Sequence, residues 1–360
     1  MTYKNRQIIS WRCRMIKKTI LVTGGLGFIG SNFIHYCLTS NPDYAIVNID
    51  SMTDAANLDN LTAVEMNPRY TYHHIDIRDA DAVKHIFRQY QITDVVHFAA
   101  ETRFSQIAHP MDLFHETNVK GTHNLLEAAR DLWQEGPFQP KEGFADSRFH
   151  HISTVAVYGS LEKEGKFTEQ SELAPTHLFS RSKANADRLV QEYYEEYGLN
   201  VVTTASSNNY GPLQQEEKFI PTLVRKALSH EEIPVHGNGQ NTRDWLFVLD
   251  HCAAIDRVFH QGRKGERYLI GGNTEKSNIE VAHAVCNYLD ELVPRPYSYN
   301  CMIRFVDDPY LRHNRYAVDA TKLKQELGFT PIQPFDTGLW STIDWYAEKY
   351  RRYDVLRMMG

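Results

Sequence analysis

Apolar and polar positions along this chain follow two alternating periods. Thr19–Thr23 is a short apolar run ending in glycines, as a buried strand does. Ile29, Phe33 and Cys37 follow at i, i+4 and i+8, which is helical spacing. Ala45–Ile49, Tyr70–Ile77, Asp94–Ala100, Arg148–Thr154 and Val201–Ala205 read as further strands. Between them, Leu125, Ala128, Ala129 and Leu132 mark one helix, and Ala186, Leu189, Val190, Tyr193 and Tyr197 mark another. Strands alternating with helices predict an α/β fold: a doubly wound parallel sheet of the Rossmann type, with helices on both faces.

Residues 134–147, with two Pro, two Gly and several charges, read as a surface loop. After residue 205 the alternation fades and turn signals multiply. The expected organisation is therefore a Rossmann-type domain over 15–205 and a smaller mixed region over 206–350, some segments of which return to the first. Residues 1–14 are basic, lack the apolar stretch of a secretory signal, and read as a disordered tail or a start-site artefact.

Composition narrows the function classes. The 360 residues are 42% hydrophobic and 23% charged, with 20 Gly and 14 Pro, which excludes disorder, collagen and coiled coil. A formal net charge of −6 disfavours nucleic-acid binding. Five scattered cysteines with no CxxC pair fit a reducing compartment and argue against a zinc ribbon; no metal site is read. Residues 19–42 lack charged side chains, but Asn32, His35, Pro42 and four glycines interrupt them, so no membrane span is expected. A cytoplasmic protein is the expectation.

The candidate chemistry begins at Gly24-Gly25-Leu26-Gly27-Phe28-Ile29-Gly30. This glycine fingerprint follows an apolar strand and opens an amphipathic helix, as a dinucleotide site requires. Backbone N–H groups and the helix N-terminus there suit a pyrophosphate. Asp50 ends the next strand 20 residues after Gly30. A carboxylate there binds a ribose diol and repels a 2′-phosphate, and no Arg follows in Ser51–Asp54, so NAD is favoured over NADP. Asp76, after another strand, reads either as an adenine contact or as a strand-end cap.

TGGLGFIGSNF, VVHFAAE, TNVKGT, SNNYGP, RDWLFV and RYAVDA occur here in one order. With them the chain resembles the extended short-chain dehydrogenase/reductases, and within those the dTDP-glucose 4,6-dehydratase family, from about Lys17 to Tyr346. The resemblance implies bound NAD, oxidation at sugar C4, loss of water across C5–C6 and return of the hydrogen to C6. It places the cofactor on Gly24, Gly27, Phe28, Ile29, Gly30, Asp50, Thr53 and Asn57. It continues that set with Asp76, Ile77, Phe98, Ala99, Ala100, Thr117 and Lys183. It implies catalytic roles for Thr154 and Lys183, and substrate contacts for Thr102, Asn208, Lys218 and Arg243. It further implies dTDP-glucose as partner and a homodimer through a helical interface.

The chain departs from that pattern at the reactive residues. Phe179 stands where the family has its catalytic Tyr, and Val155-Ala156 where it has Asp-Glu. Thr102–Gln106 is a residue shorter and lacks Asp-Arg, and Asp308–Tyr316 also differs. Phe fills the volume of Tyr but cannot take a proton, and general acid–base steps contribute roughly 10²–10⁴-fold each. Candidate substitutes are His177, which reads as an exposed loop histidine or as a base, Lys183, which reads as a ribose-binding residue or acts through a water, and Tyr158, which reads as structure or as a base. Arg243 beside Asp244 reads as a diphosphate fork or a structural pair, and the Tyr193/Tyr194/Tyr197 stripe as helix packing or a dimer face. The expected function is an NAD-dependent nucleotide-sugar enzyme with a diverged active site. The alternatives are a non-catalytic homologue that binds NAD or a sugar nucleotide, and a C4 oxidoreductase or epimerase.

Overall fold

The structure is a computed structural model that describes residues 16–102, 110–162, 164–308 and 315–359. The expected tail, Arg103–Gln106 and Pro309–Asn314 lie outside the described residues. In chain order the strands are β1 (Lys18–Thr23), β2 (Tyr44–Asp50), β3 (Tyr70–His74), β4 (Asp94–His97), β5 (Gln134–Gly136), β6 (Gln139–Pro140), β7 (Arg148–Thr154) and β8 (Val201–Ser206). They continue as β9 (Asn208–Tyr210), β10 (Ile233–His236), β11 (Thr242–Phe247), β12 (Arg267–Ile270), β13 (Glu275–Ser277), β14 (Ile303–Val306) and β15 (Arg315–Tyr316). The α-helices are α1 (Phe28–Ser40), α2 (Ala80–Tyr90), α3 (Pro110–His115), α4 (Gly121–Trp133) and α5 (Leu178–Tyr197). After them come α6 (Phe219–Leu228), α7 (Val248–Gln261), α8 (Asn278–Leu292), α9 (Thr321–Leu327) and α10 (Phe335–Met359).

Seven parallel strands form the main sheet in the order β12-β8-β7-β4-β1-β2-β3. Its inner strands are buried on both faces, so they are almost wholly apolar: Ile20, Leu21 and Val22 in β1, and Val95 and Val96 in β4. One face packs on α1 and α7 through Phe33, Ile34, Ile255 and Val258. The other packs on α2, α4 and α5 through Phe87, Leu125, Leu126 and Val190. Asp79 caps α2 by accepting the Ala82 N–H at 3.0 Å, and Gln91 ends it in left-handed backbone at φ 48°. A third core lies around Leu223, Trp245, Val285 and Tyr346, in the mixed region beyond β8.

Several strand expectations change. Tyr70–Ile77 and Asp94–Ala100 leave the sheet after His74 and His97, because Ile75 and Phe98 through Ala100 turn out to wall a cavity. Residues 134–147 contain a short antiparallel pair, β5–β6, rather than loop alone. The sheet takes its seventh strand, β12, from beyond residue 205, between the turn signals of residues 262–266 and 271–273. Among the described residues no helix is long and apolar enough to cross a membrane.

Candidate active site

The sheet order reverses direction between β1 and β4, where a parallel α/β sheet opens a crevice at its C-terminal edge. A cavity of about 690 Å³ occupies that crevice. Its dinucleotide end is shaped by backbone. Gly24 lies at φ 70°, and a Cβ there would stand 2.7 Å from Ala99 N; one on Gly30 would stand 2.4 Å from the Gly24 carbonyl oxygen. Asp50 accepts the Leu26 N–H at 3.0 Å and the Met52 N–H at 2.9 Å, while burial raises its pKa. Asp76 is gripped by Arg78, whose Nε and Nη2 donate at 2.9 and 2.6 Å. Although burial opposes it, this pairing lowers the Asp76 pKa. The Asp76 carboxylate is thus an ion-pair partner as well as cavity wall.

The reactive end is assembled by β7, the turn after it and the start of α5. Thr154 caps the turn, its Oγ1 accepting the Ala156 N–H at 3.3 Å. Lys183 is only 3% exposed, and its Nζ donates to the Ile152 carbonyl at 2.9 Å. Burial brings its pKa down to about 8, against the pull of Asp187. Asp187 is fully enclosed by His151 at 3.2 Å, Ser153 at 2.9 Å and Arg267 at 3.0 Å; despite desolvation, Arg267, His151 and Lys183 hold its pKa far down. A second link joins the helices below: Asn118 donates to Ser182 Oγ at 2.8 Å and accepts the Glu101 N–H at 2.7 Å.

Most of the expected residues meet in this one cavity: Gly24, Gly27, Phe28, Ile29, Gly30, Asp50, Thr53, Asp76, Ile77, Phe98, Ala99, Ala100 and Thr117. Thr102, Thr154, Val155, Ala156, Phe179, Lys183, Asn208 and Lys218 share its wall. Asn57 and Arg243 do not. Asn57 lines a neighbouring cavity and caps the turn at Leu58–Val64. Arg243 lies behind the wall, its guanidinium 4.9 Å from the centre of the Tyr316 ring, and Tyr316 meets the cavity instead.

The three substitute groups separate. Tyr158 is buried outside the cavity, and burial raises its phenol pKa, so it is no base there. His177 reaches the cavity and stacks on Phe179 with ring centres 6.1 Å apart. It is not a loop residue: it caps α5, and its Nδ1 accepts the Ser180 N–H at 3.2 Å. A neutral ring accepting at Nδ1 carries its proton on Nε2, so it can donate but not accept there. Lys183 shares the cavity wall with Thr154, and burial has already lowered its pKa to about 8. Sequence reasoning missed Glu101, Ser207, Gln215 and Tyr316 on the wall. AAE and RYAVDA carried two of them, but no local spacing aims them inward. Among the described residues no group of three or more His, Cys, Asp or Glu is placed to hold a metal.

A glycine loop opening a helix, with a strand-end carboxylate at the switch point of a parallel sheet, marks a dinucleotide-binding α/β fold. The family model for GDP-mannose 4,6 dehydratase matches residues 21–342, and the chain belongs to that family. A relative in Neisseria meningitidis serogroup B, dTDP-glucose 4,6-dehydratase, is 44% identical over 92% of this chain and 94% of its own length. The crystal structure of the Bacillus anthracis dTDP-glucose 4,6-dehydratase in complex with NAD matches with TM-score 0.81 at 40% identity, covering 93% of this chain and 98% of that one. A Streptomyces venezuelae dTDP-glucose 4,6-dehydratase matches with TM-score 0.82 at 38% identity, over 92% and 98%.

Proposed function

We propose that this chain is an NAD-dependent nucleotide-sugar enzyme of the dTDP-glucose 4,6-dehydratase type with altered proton transfer. The observation that carries this reading is one cavity joining the Gly24–Gly30 loop to Thr154, Lys183, Asn208 and Lys218. Both parts fit NAD: the glycines leave room that a Cβ would fill, and the Asp50 carboxylate suits a ribose diol. Bound NAD supplies an acceptor for the hydrogen at sugar C4 and a donor that returns it to C6. The N-terminus of α1 and the N–H groups of the glycine loop hold the pyrophosphate. The Lys218 ammonium is placed to meet a sugar-nucleotide diphosphate.

At the reactive end, the Thr154 hydroxyl orients the C4 oxygen. Lys183 is the group able to take its proton, as an amine whose pKa burial has brought near neutrality. Val155 and Ala156 offer no acid to a departing C6 hydroxyl, so dehydration is the slow step. A second reading, a binding-only protein, is favoured by the same feature: Phe179 walls the cavity where the family has a phenol. Incubation with NAD and dTDP-glucose decides between them. A 4-keto sugar or transient NADH absorbance supports the enzyme, and tight NAD binding with no turnover supports the second reading. The proposal includes a homodimer through a helical interface and a cytoplasmic location, which light scattering and cell fractionation test.

A further inference from the structure

The cavity's dinucleotide end is bordered by two loops from different parts of the chain. One is the segment after β2, held by the Ala56 N–H on the Thr53 carbonyl at 2.8 Å and the Asn57 N–H on the Leu26 carbonyl at 3.1 Å. The other joins β9 to α6. They meet where Gln215 Nε2 donates to the Ala55 carbonyl at 3.1 Å.

The second loop is braced from behind. Asn32 on α1 donates to the Pro212 carbonyl at 3.0 Å, and Gln214 donates to the Asn209 carbonyl at 3.0 Å. From α10, the Tyr346 hydroxyl donates to the Gln214 carbonyl and Lys349 pairs with Glu216 at 2.8 Å. Ala55, Ala56, Gln214 and Gln215 line the main cavity on one side and a second cavity of about 230 Å³ on the other. The Gln215–Ala55 bridge is therefore a partition between two spaces. The second space carries Asp54, Glu216 and Glu217 together with Lys349, which pairs with Glu216.

We infer that the Gln215–Ala55 bridge is a latch whose opening joins the two cavities and sets the rate of cofactor exchange. The inference rests on the NAD reading above. The bridge joins two protein groups and no ligand atom, so removing it speeds binding and release alike. A direct contact to the cofactor behaves differently: its loss raises the release rate alone and weakens affinity in proportion.

The test uses Gln215→Met, which keeps the length but cannot donate, and Gln215→Ala. NAD binding and displacement by 1,N6-etheno-NAD are followed by stopped-flow fluorescence. Both rate constants are expected to rise about fivefold, the value of one net hydrogen bond, with the dissociation constant changed less than about twofold. Unchanged rates in correctly folded variants, or a rise in release alone, overturn the latch while leaving NAD binding intact. If the unaltered chain binds no NAD, the parent reading falls, and the latch with it.

Discussion

The two ends of the central cavity are built from different materials. The dinucleotide end is backbone: glycines where a Cβ would stand within 3 Å of other chain atoms, a helix N-terminus, and a carboxylate pinned by two N–H groups. The reactive end is side-chain chemistry on a well-packed frame. Phe179 there packs against Phe114 at 6.5 Å and His177 at 6.1 Å, so the wall is complete without a phenol. A backbone site fails when its residues change, because the chain itself must move. A side-chain site can lose its chemistry while its shape survives. Cofactor binding and turnover are thus separable in this molecule.

The largest effect is expected from restoring the acid and base groups together. Phe179→Tyr with Val155→Asp and Ala156→Glu should raise 4-keto sugar formation by orders of magnitude, since each general acid–base group contributes about 10²–10⁴-fold. NAD affinity, measured by calorimetry, should stay unchanged. An inert triple variant that still binds NAD would show that these positions do not face the sugar. The converse change is Gly30→Ala. Overpacking of this kind costs about 1–3 kcal/mol, and the same energy taken from the loop weakens NAD binding by about tenfold or more. Wild-type affinity in that variant would place the pyrophosphate elsewhere.

The dinucleotide end was legible in the sequence for the reason that makes it fragile. Local backbone demands leave local traces, so Gly24, Gly27, Gly30 and Asp50 stand at fixed spacings beside buried apolar runs. The central strands are as plain, because burial on both faces leaves little choice but Ile, Leu and Val. What was hidden depends on distant partners. The short apolar run Tyr268–Ile270 between turn signals does not announce its place in the main sheet, since its pairing with β8 bridges more than sixty residues. The bond from Asn118 to Ser182 and the placing of Tyr316 before Arg243 are likewise products of the fold. The role of His177 was hidden for another reason: the ring read as an exposed loop histidine or a base is the cap of α5, and nothing in the residue type marks a ring nitrogen that accepts a backbone N–H.

Both ends stand on one frame, and acid should undo them together. His97, His150, His151 and His251 are fully buried, and desolvation lowers the pKa of each, to about 4 for His151 and about 3 for His251. The unfolded chain takes up these protons near pH 6.5, well above the folded values. Stability is therefore complete above about pH 6.5 and is lost as pH falls below it, by about 1.4 kcal/mol per unit for each such histidine. Urea unfolding at pH 7.5 and 5.5 reads this directly. Equal unfolding energies at the two values would mean that these rings are protonated in the fold.

The smallest expected effect bears on the reactive end. As the cap of α5, His177 satisfies the Ser180 N–H, and losing such a cap costs about 1 kcal/mol. His177→Ala should lower thermal stability by that amount, and His177→Ser, whose hydroxyl can accept the same N–H, should recover most of it. If the imidazole were instead a proton acceptor, neither variant would preserve the pH dependence of product formation, and Ser would rescue nothing. With Lys183 as acceptor, the profile in the Ser variant keeps its rise near pH 8, where burial has placed that ammonium. On the proposed reading, stability and pH profile thus respond to different residues: the ring at position 177 caps the helix that carries Lys183, and the Lys183 amine sets the profile.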